Sequence, residues 1–358
     1  MPENFEQSRD SEEKTFGVEG VKNEERVFEL KENNTEVSKP KRKTGVSKMV
    51  RFSEKDEKKA KEHFKDTFEK QSEKEIVKYE RLKTEEEKKT IIDILAKMPD
   101  FIERYGGTPI DITLDHIHIL DSEKLDEDIR KKLDMTKDEY GGGGYKLSSQ
   151  LIYIIDSGNN LYNAQAIVHE IIHFNSFQSI ELTGKGKKIS SVRRIGFEIR
   201  RKDKKEVFFR EVNEAITEEL AKRFDIQYFE DVPVISDEVK ERNSIKKQFK
   251  DKGDDIARII KASPNELDKN KTNFTVEYYS YMKNREDLNQ DIVNIYEKNK
   301  NERNKHGELI FNSAKDVFDV FAKAVMTGNL LEVARLLEKT YGKGSFRRRA
   351  ERTKITKK

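Results

Sequence analysis

Residues 168–174 read VHEIIHF, and His169, Glu170 and His173 have the residue types and spacing of a metal site. Residues four apart on a helix share a face, so both imidazoles can present a nitrogen to one ion. Glu170 follows His169 directly, within reach of a water on that ion, where a carboxylate serves as general base. With 6 histidines and 69 Asp plus Glu in 358 residues, chance matches to H-E-x-x-H number on the order of 0.02 for such a chain. Coincidence is the weaker explanation. The chain has no cysteine, which excludes disulfides, thiolate ligands and a cysteine nucleophile, so bound zinc must use His, Asp or Glu.

A catalytic zinc keeps three protein ligands and one open position. The close pattern with a third histidine is excluded, because Ser176 and Ser179 stand where its glycine and histidine would be. Glutamates of EVNEAITEELAKRF are the next candidates. Glu211, Glu214 and Glu218 share one helical face and Glu219 points elsewhere. Glu214 is the preferred ligand, because Glu218, one turn on, can then accept the outer N–H of a ligating histidine and fix its tautomer. Ordinary surface glutamates on a charged helix are the competing reading.

HEIIH, followed 41 positions after His173 by the glutamate of NEAITEE, resembles the gluzincin group of zinc metallopeptidases. The resemblance spans about 120 residues and its diagnostic letters are few. It implies an α+β, zincin-like catalytic domain with zinc on His169, His173 and Glu214, Glu170 as general base, and a peptide or protein as substrate. It further implies that QLIYIID, residues 150–156, is the edge strand of the sheet, along which an extended peptide pairs through its main chain.

The surrounding elements must hold these groups. Leu161, Ala164, Ile167, Val168, Ile171, Ile172 and Phe174 give the HEIIH helix apolar faces to bury, with Asn159 or Asn160 as its cap. Thr84–Glu87 (TEEE) reads as a capping box opening a helix with a stripe of Ile91, Ile92, Leu95 and Met98, ending near Pro99. Pro109–Leu120 alternates as a strand, and Ser122 can cap a helix through Met135. The glycines at 141–144 suggest a mobile loop, without the lysine and hydroxyl of a phosphate loop. KKISSVRRIGFEIRRKDKKEVFFR reads as a hairpin. After DVPVIS the chain reads as helices, closing with a helical hairpin at Gly328 and Asn329. His116 and His118 read as structural, and among Tyr278, Tyr279, Tyr281 and Arg285, possible oxyanion donors, core packing is the preferred role.

Five segments follow: a disordered charged stretch at 1–48, a charged helical arm at 49–104, the zincin-like domain at 105–230, a helical region at 231–341 and a basic tail at 342–358. The composition, 34% hydrophobic and 39% charged, agrees with part of the chain being solvated. A net charge of +3 gives no global reason for a nucleic-acid or membrane partner. The tail carries eight basic residues against Glu351 alone. Disorder is the expectation there, with weak polyanion contact as the alternative. No apolar run approaches a membrane span and the first residues lack the pattern of a signal peptide, so the expectation is a soluble cytoplasmic protein.

Zinc-dependent peptide hydrolysis is the leading function. The alternatives are a catalytically inactive zincin-like binding domain, which has no use for Glu170, and a helical interaction protein without metal.

Overall fold

The computed structural model describes residues 48–50, 77–132, 142–147, 151–183, 188–201, 206–264 and 272–356. The disordered stretch and most of the helical arm expected before residue 77 lie outside them. Helices and sheets are mixed, as an α+β chain requires. Three sheets are present among the described residues.

Two of these elements frame the site. Strands β1 (Lys48–Val50), β2 (Ile117–Leu120), β3 (Gly143–Lys146) and β4 (Leu151–Ile155) come first. In the three-stranded sheet the order is β2-β4-β3, with β4 parallel to β2 and antiparallel to β3. QLIYIID is therefore the central strand, not the edge. Its five residues Leu151–Ile155 are all buried, which is what a continuous apolar run signals. The edge is β3, built from two of the four glycines expected to form a loop. A Cβ at Gly144 would collide with the hydroxyl end of the Tyr153 ring, and one at Gly143 would lie 2.7 Å from Ile154 Cδ1 and 3.1 Å from Glu170 Cγ. Only glycine permits this approach of strand to helix.

The capping box at Thr84 forms: Glu87 N–H donates to Thr84 Oγ1 at 3.1 Å and Thr84 N–H to Glu87 Oε2 at 2.8 Å. It opens α1 (Glu85–Arg104), which runs through Pro99 instead of stopping there. Burial of Ile91, Ile94, Met98, Phe101 and Ile102 sustains the helix past the missing N–H, and Ile92, counted in the expected stripe, is exposed. Ser122 starts only a short 3-10 turn, Ser122–Lys124, capped by Asp121, before α2 (Glu127–Lys132); Met135 lies outside the described residues. The HEIIH helix is α3 (Asn160–Asn175), capped by Asn159, whose Oδ1 accepts Tyr162 N–H at 2.8 Å.

The expected hairpin after α3 is part of a six-stranded sheet. With β5 (Gln178–Thr183), β6 (Lys188–Ile195), β7 (Glu198–Arg200), β8 (Glu206–Phe208) and β11 (Ile355–Thr356), the order is β1-β5-β6-β7-β8-β11. The glutamate helix α4 (Arg210–Tyr228) follows, then α5 (Ser236–Ile245).

The segment from 231 onward is not wholly helical. Strands β9 (Ile256–Pro264) and β10 (Thr272–Tyr278) pair antiparallel with two register shifts. Helices α6 (Met282–Asn299), α7 (Ala314–Thr327) and α8 (Leu330–Tyr341) follow. The turn between α7 and α8 is as the sequence reads: Gly328 takes the left-handed conformation at φ 79° and Asn329 caps α8.

The basic tail is also folded. Ser345–Arg352 form α9, β11 pairs with β8, and Arg349 is ion-paired with Asp291. Here the apolar Phe346 and Ile355 decide the outcome over charge repulsion. The Phe346 ring lies 5.0 Å from that of Phe209, and Phe209 N–H donates to Thr353 Oγ1 at 3.1 Å. Phe209 is left-handed (φ 59°), a conformation costing a non-glycine residue about 1–2 kcal/mol. The C-terminal segment thus clamps a strained residue at the start of the glutamate helix.

Candidate metal centre

Helix α3 is buried along nearly its whole length, because Ile167, Val168, Ile171, Ile172 and Phe174 pack into the main core. That packing fixes its rotation and turns His169 and His173 toward α4. The interface with α4 buries Ala215, Ile216, Leu220 and Phe224, and places Glu214 and Glu218 against the two histidines.

His173 Nε2 lies 3.1 Å from His169 Nε2 and 3.0 Å from Glu214 Oε2, and His169 Nε2 lies 3.4 Å from the same oxygen. All three ligand atoms fall within 4.8 Å of one another. At zinc–nitrogen distances of about 2.0–2.1 Å, neighbouring ligands of a tetrahedral ion are about 3.3 Å apart. The observed triangle has that size. Glu218 Oε2 sits 2.6 Å from His169 Nδ1, and its other oxygen accepts Ser280 N–H at 2.8 Å. With the Nδ1 proton held by Glu218, a neutral His169 directs its Nε2 lone pair at a carboxylate and a second imidazole. Such a centre takes a cation, either a proton on His169 or a metal ion. The donor set, two imidazoles and one carboxylate without sulfur, is one that zinc accepts. Among the described residues no other group of three potential ligands converges in this way.

The electrostatics agree. Burial pushes the His169 imidazolium toward the neutral form, but Glu214 and Glu218 outweigh it and hold its pKa well above the ordinary 6.5. Burial likewise opposes the Glu214 charge, and His173 and His169 override it, leaving the carboxyl far below its usual range. Glu218 is lowered too, burial again being outweighed by His169 and Arg285. In the metal-free protein a raised histidine stabilises the fold below pH 6.5 and loses that contribution as pH rises through its folded value. The lowered carboxylates contribute above 4.5 and lose it on acidification. A metal ion held here would compete with the His169 proton, so zinc uptake is expected to release protons, and apparent affinity to rise with pH, below the raised His169 pKa. Titration calorimetry in two buffers of different ionisation enthalpy checks this; a pH-independent affinity with no proton release contradicts it.

Glu170 is buried and lines a cleft of ≈ 440 Å³ together with His169 and Glu218. The Gly143 end of the edge strand β3 forms one wall. Tyr278, Tyr279, Ser280 and Tyr281 form another. These tyrosines are not at helical spacing as the sequence suggested: Tyr278 ends β10, and Tyr281 precedes α6 in a left-handed conformation, φ 54°. A bulky residue there is an outlier, and such outliers collect at functional sites. The Tyr281 ring stacks on that of His169, with centroids 6.0 Å apart and planes 17° from parallel. Tyr279 and Arg285 do belong to the packing. Tyr279 Oη donates to Asp225 at 2.5 Å, and Arg285 binds Glu219 at 2.9 Å and Asp255 at 2.7 Å.

Sequence reading missed the support behind the cleft. Arg242, fully buried, grips Asp225 with two hydrogen bonds of 2.7 and 2.8 Å. Gln165 Nε2 donates to Asp225 at 2.8 Å and to Ala257 O at 2.9 Å. This network ties α3, α4, α5 and β9 together; losing one partner of such a pair costs about 3–5 kcal/mol. A single arginine and aspartate on charged helices leave no sequence signal. The hairpin beside them did: residues 272–278 alternate and 256–260 are rich in isoleucine, on either side of the polar PNELDKNK.

His116 and His118 lie apart from the centre. His116 Nδ1 accepts Thr113 N–H at 3.0 Å, and His118 Nδ1 lies 2.7 Å from Glu80 Oε2. Glu211 is exposed in the first turn of α4 and Glu219 pairs with Arg223 and Arg285. No helix among the described residues is long and apolar enough to cross a membrane. Comparison with known proteins returns nothing: no protein-family model, no curated protein and no solved structure matches this chain.

Proposed function

We propose that this chain is a zinc-dependent peptide hydrolase with a zincin-like catalytic core. The observation that carries the reading is the convergence of His169, His173 and Glu214 at tetrahedral ligand spacing, with Glu218 behind His169 and Glu170 facing the adjoining cleft. Zinc held there would supply Lewis acidity toward a carbonyl and lower the pKa of a nearby water. Glu170 takes the proton released from the attacking water and returns it to the leaving amine. Glu218 keeps the His169 Nδ1 proton in place and raises the basicity of Nε2.

The peptide class of substrate rests on β3. Its inner edge pairs with β4, and no other strand among the described residues lies on its outer side, so an extended chain can add there through main-chain hydrogen bonds. Gly143 lets that chain pass close to Glu170.

The test is cleavage of a mixed peptide library by the zinc-loaded protein, read by mass spectrometry before and after metal removal with a chelator. Fragments that vanish on chelation and return with zinc are the expected result. Fragments that persist without metal, or a zinc-loaded protein that leaves every peptide intact, contradict it.

A further inference from the structure

We infer that the cleft running from His169 toward the start of α3 is a selectivity pocket for a lysine or arginine side chain of the substrate, read by Gln165. This rests on the peptide-hydrolase reading and names the substrate it prefers.

Tyr162, Gln165 and Ala166 precede His169 by seven, four and three residues, so they share its helix face. All three line the cleft. Seven residues of helix rise about 10 Å, room for a long side chain beyond the reacting bond. Gln165 lies about 6 Å along the axis from His169. The floor is opened by small residues, Ala166, Ala221 and Ala257.

The chemistry of the walls chooses the charge. Among the described residues no lysine or arginine lines the cleft. Four tyrosines do, and aromatic faces attract cations. Arg258 already stacks on the Tyr162 ring at 4.4 Å from its centroid, neutralised by Glu277. With a divalent ion bound, the carboxylates Glu170, Glu214 and Glu218 exceed it by one negative charge.

Gln165 supplies direction. Both polar contacts of its side chain are made by Nε2, to Asp225 Oδ2 and Ala257 O. Each partner is an acceptor, so the amide cannot be turned around. Its Oε1 is therefore the atom left for the cleft, a fixed acceptor held by a buried network and suited to an ammonium or guanidinium donor.

The test uses zinc-loaded Glu170→Gln protein, which retains peptide without cutting it. Fluorescein-labelled peptides differing only by Lys, norleucine, Ala or Glu at each position are compared by anisotropy. At one position the Lys peptide binds about tenfold or more tighter than the norleucine and Glu peptides, as a hydrogen bond to a charged group implies. Adding Gln165→Leu collapses the Lys-to-norleucine ratio below about threefold. Adding Ala166→Met, which narrows the floor and leaves the Gln165 contacts alone, weakens both long side chains relative to the Ala peptide. Equal binding of Lys and norleucine peptides at every position, or a Lys preference untouched by both substitutions, overturns the inference. Lys-selective binding by a wild-type protein that cuts nothing leaves the pocket standing and removes the hydrolase reading instead.

Discussion

On the proposed mechanism, Glu170→Gln is expected to retain bound zinc and to lower kcat for peptide hydrolysis by about 10²- to 10⁴-fold, the range a positioned general base contributes. The substitution keeps the shape of a buried side chain packed against Gly143 and removes only its ability to take a proton. Glu170 lines the cleft and is not one of the three converging ligand atoms, so the affinity for metal is expected to stay within a few-fold of wild type. Steady-state kinetics beside metal analysis check both halves. Loss of zinc would move Glu170 into the ligand set, and unchanged kcat would remove it from the chemistry.

The second large effect falls on the metal itself. Glu214→Ala deletes one of the three proposed ligands and the carboxylate that faces both histidines, at 3.0 and 3.4 Å. Apparent zinc affinity should fall more than the 10- to 100-fold lost with an outer-shell partner, whereas Glu218→Ala should stay within that range. Competition against a chromophoric chelator gives the two values. The opposite order would make Glu218 the ligand and Glu214 its support. In the metal-free state Glu214→Ala also relieves the His169 proton of a partner, so its raised pKa moves back toward the ordinary value.

The local part of this arrangement was legible in the sequence because helical periodicity is local. The spacing of His169 and His173 puts them on one face, and the run of Glu214 and Glu218 puts both carboxylates on another. Their meeting depends on apolar stripes that are themselves visible, Ile171 and Ile172 on one helix, Ala215, Ile216 and Leu220 on the other. Strand order was not legible. Leu151–Ile155 has the composition of a buried strand, but whether it lies central or at the edge depends on a neighbour, β3, whose glycines carry no apolar pattern at all. The tail misled in the other direction. Its charge suggests a solvated segment, and two apolar residues, Phe346 and Ile355, fix it to Phe209 and β8.

The wall of tyrosines shows a third limit. EYYSYMKNR falls in the stretch expected to be helical after DVPVIS, but the helix begins only at Met282. Tyr279 is drawn inward by the Asp225–Arg242 pair, leaving Ser280 N–H for Glu218 and the Tyr281 ring for His169. Partners 54 and 62 residues away decide the conformation, and no window of local sequence contains them.

The most direct measurement is the zinc content of the purified wild-type chain by native mass spectrometry after exchange into metal-free buffer and addition of zinc. One zinc per chain, displaced by a strong chelator and regained on re-addition, is the result this account predicts. A chain that takes up no zinc at neutral pH while remaining folded would contradict it, and the His169–Glu214–His173 cluster would then be a proton-bridged structural contact.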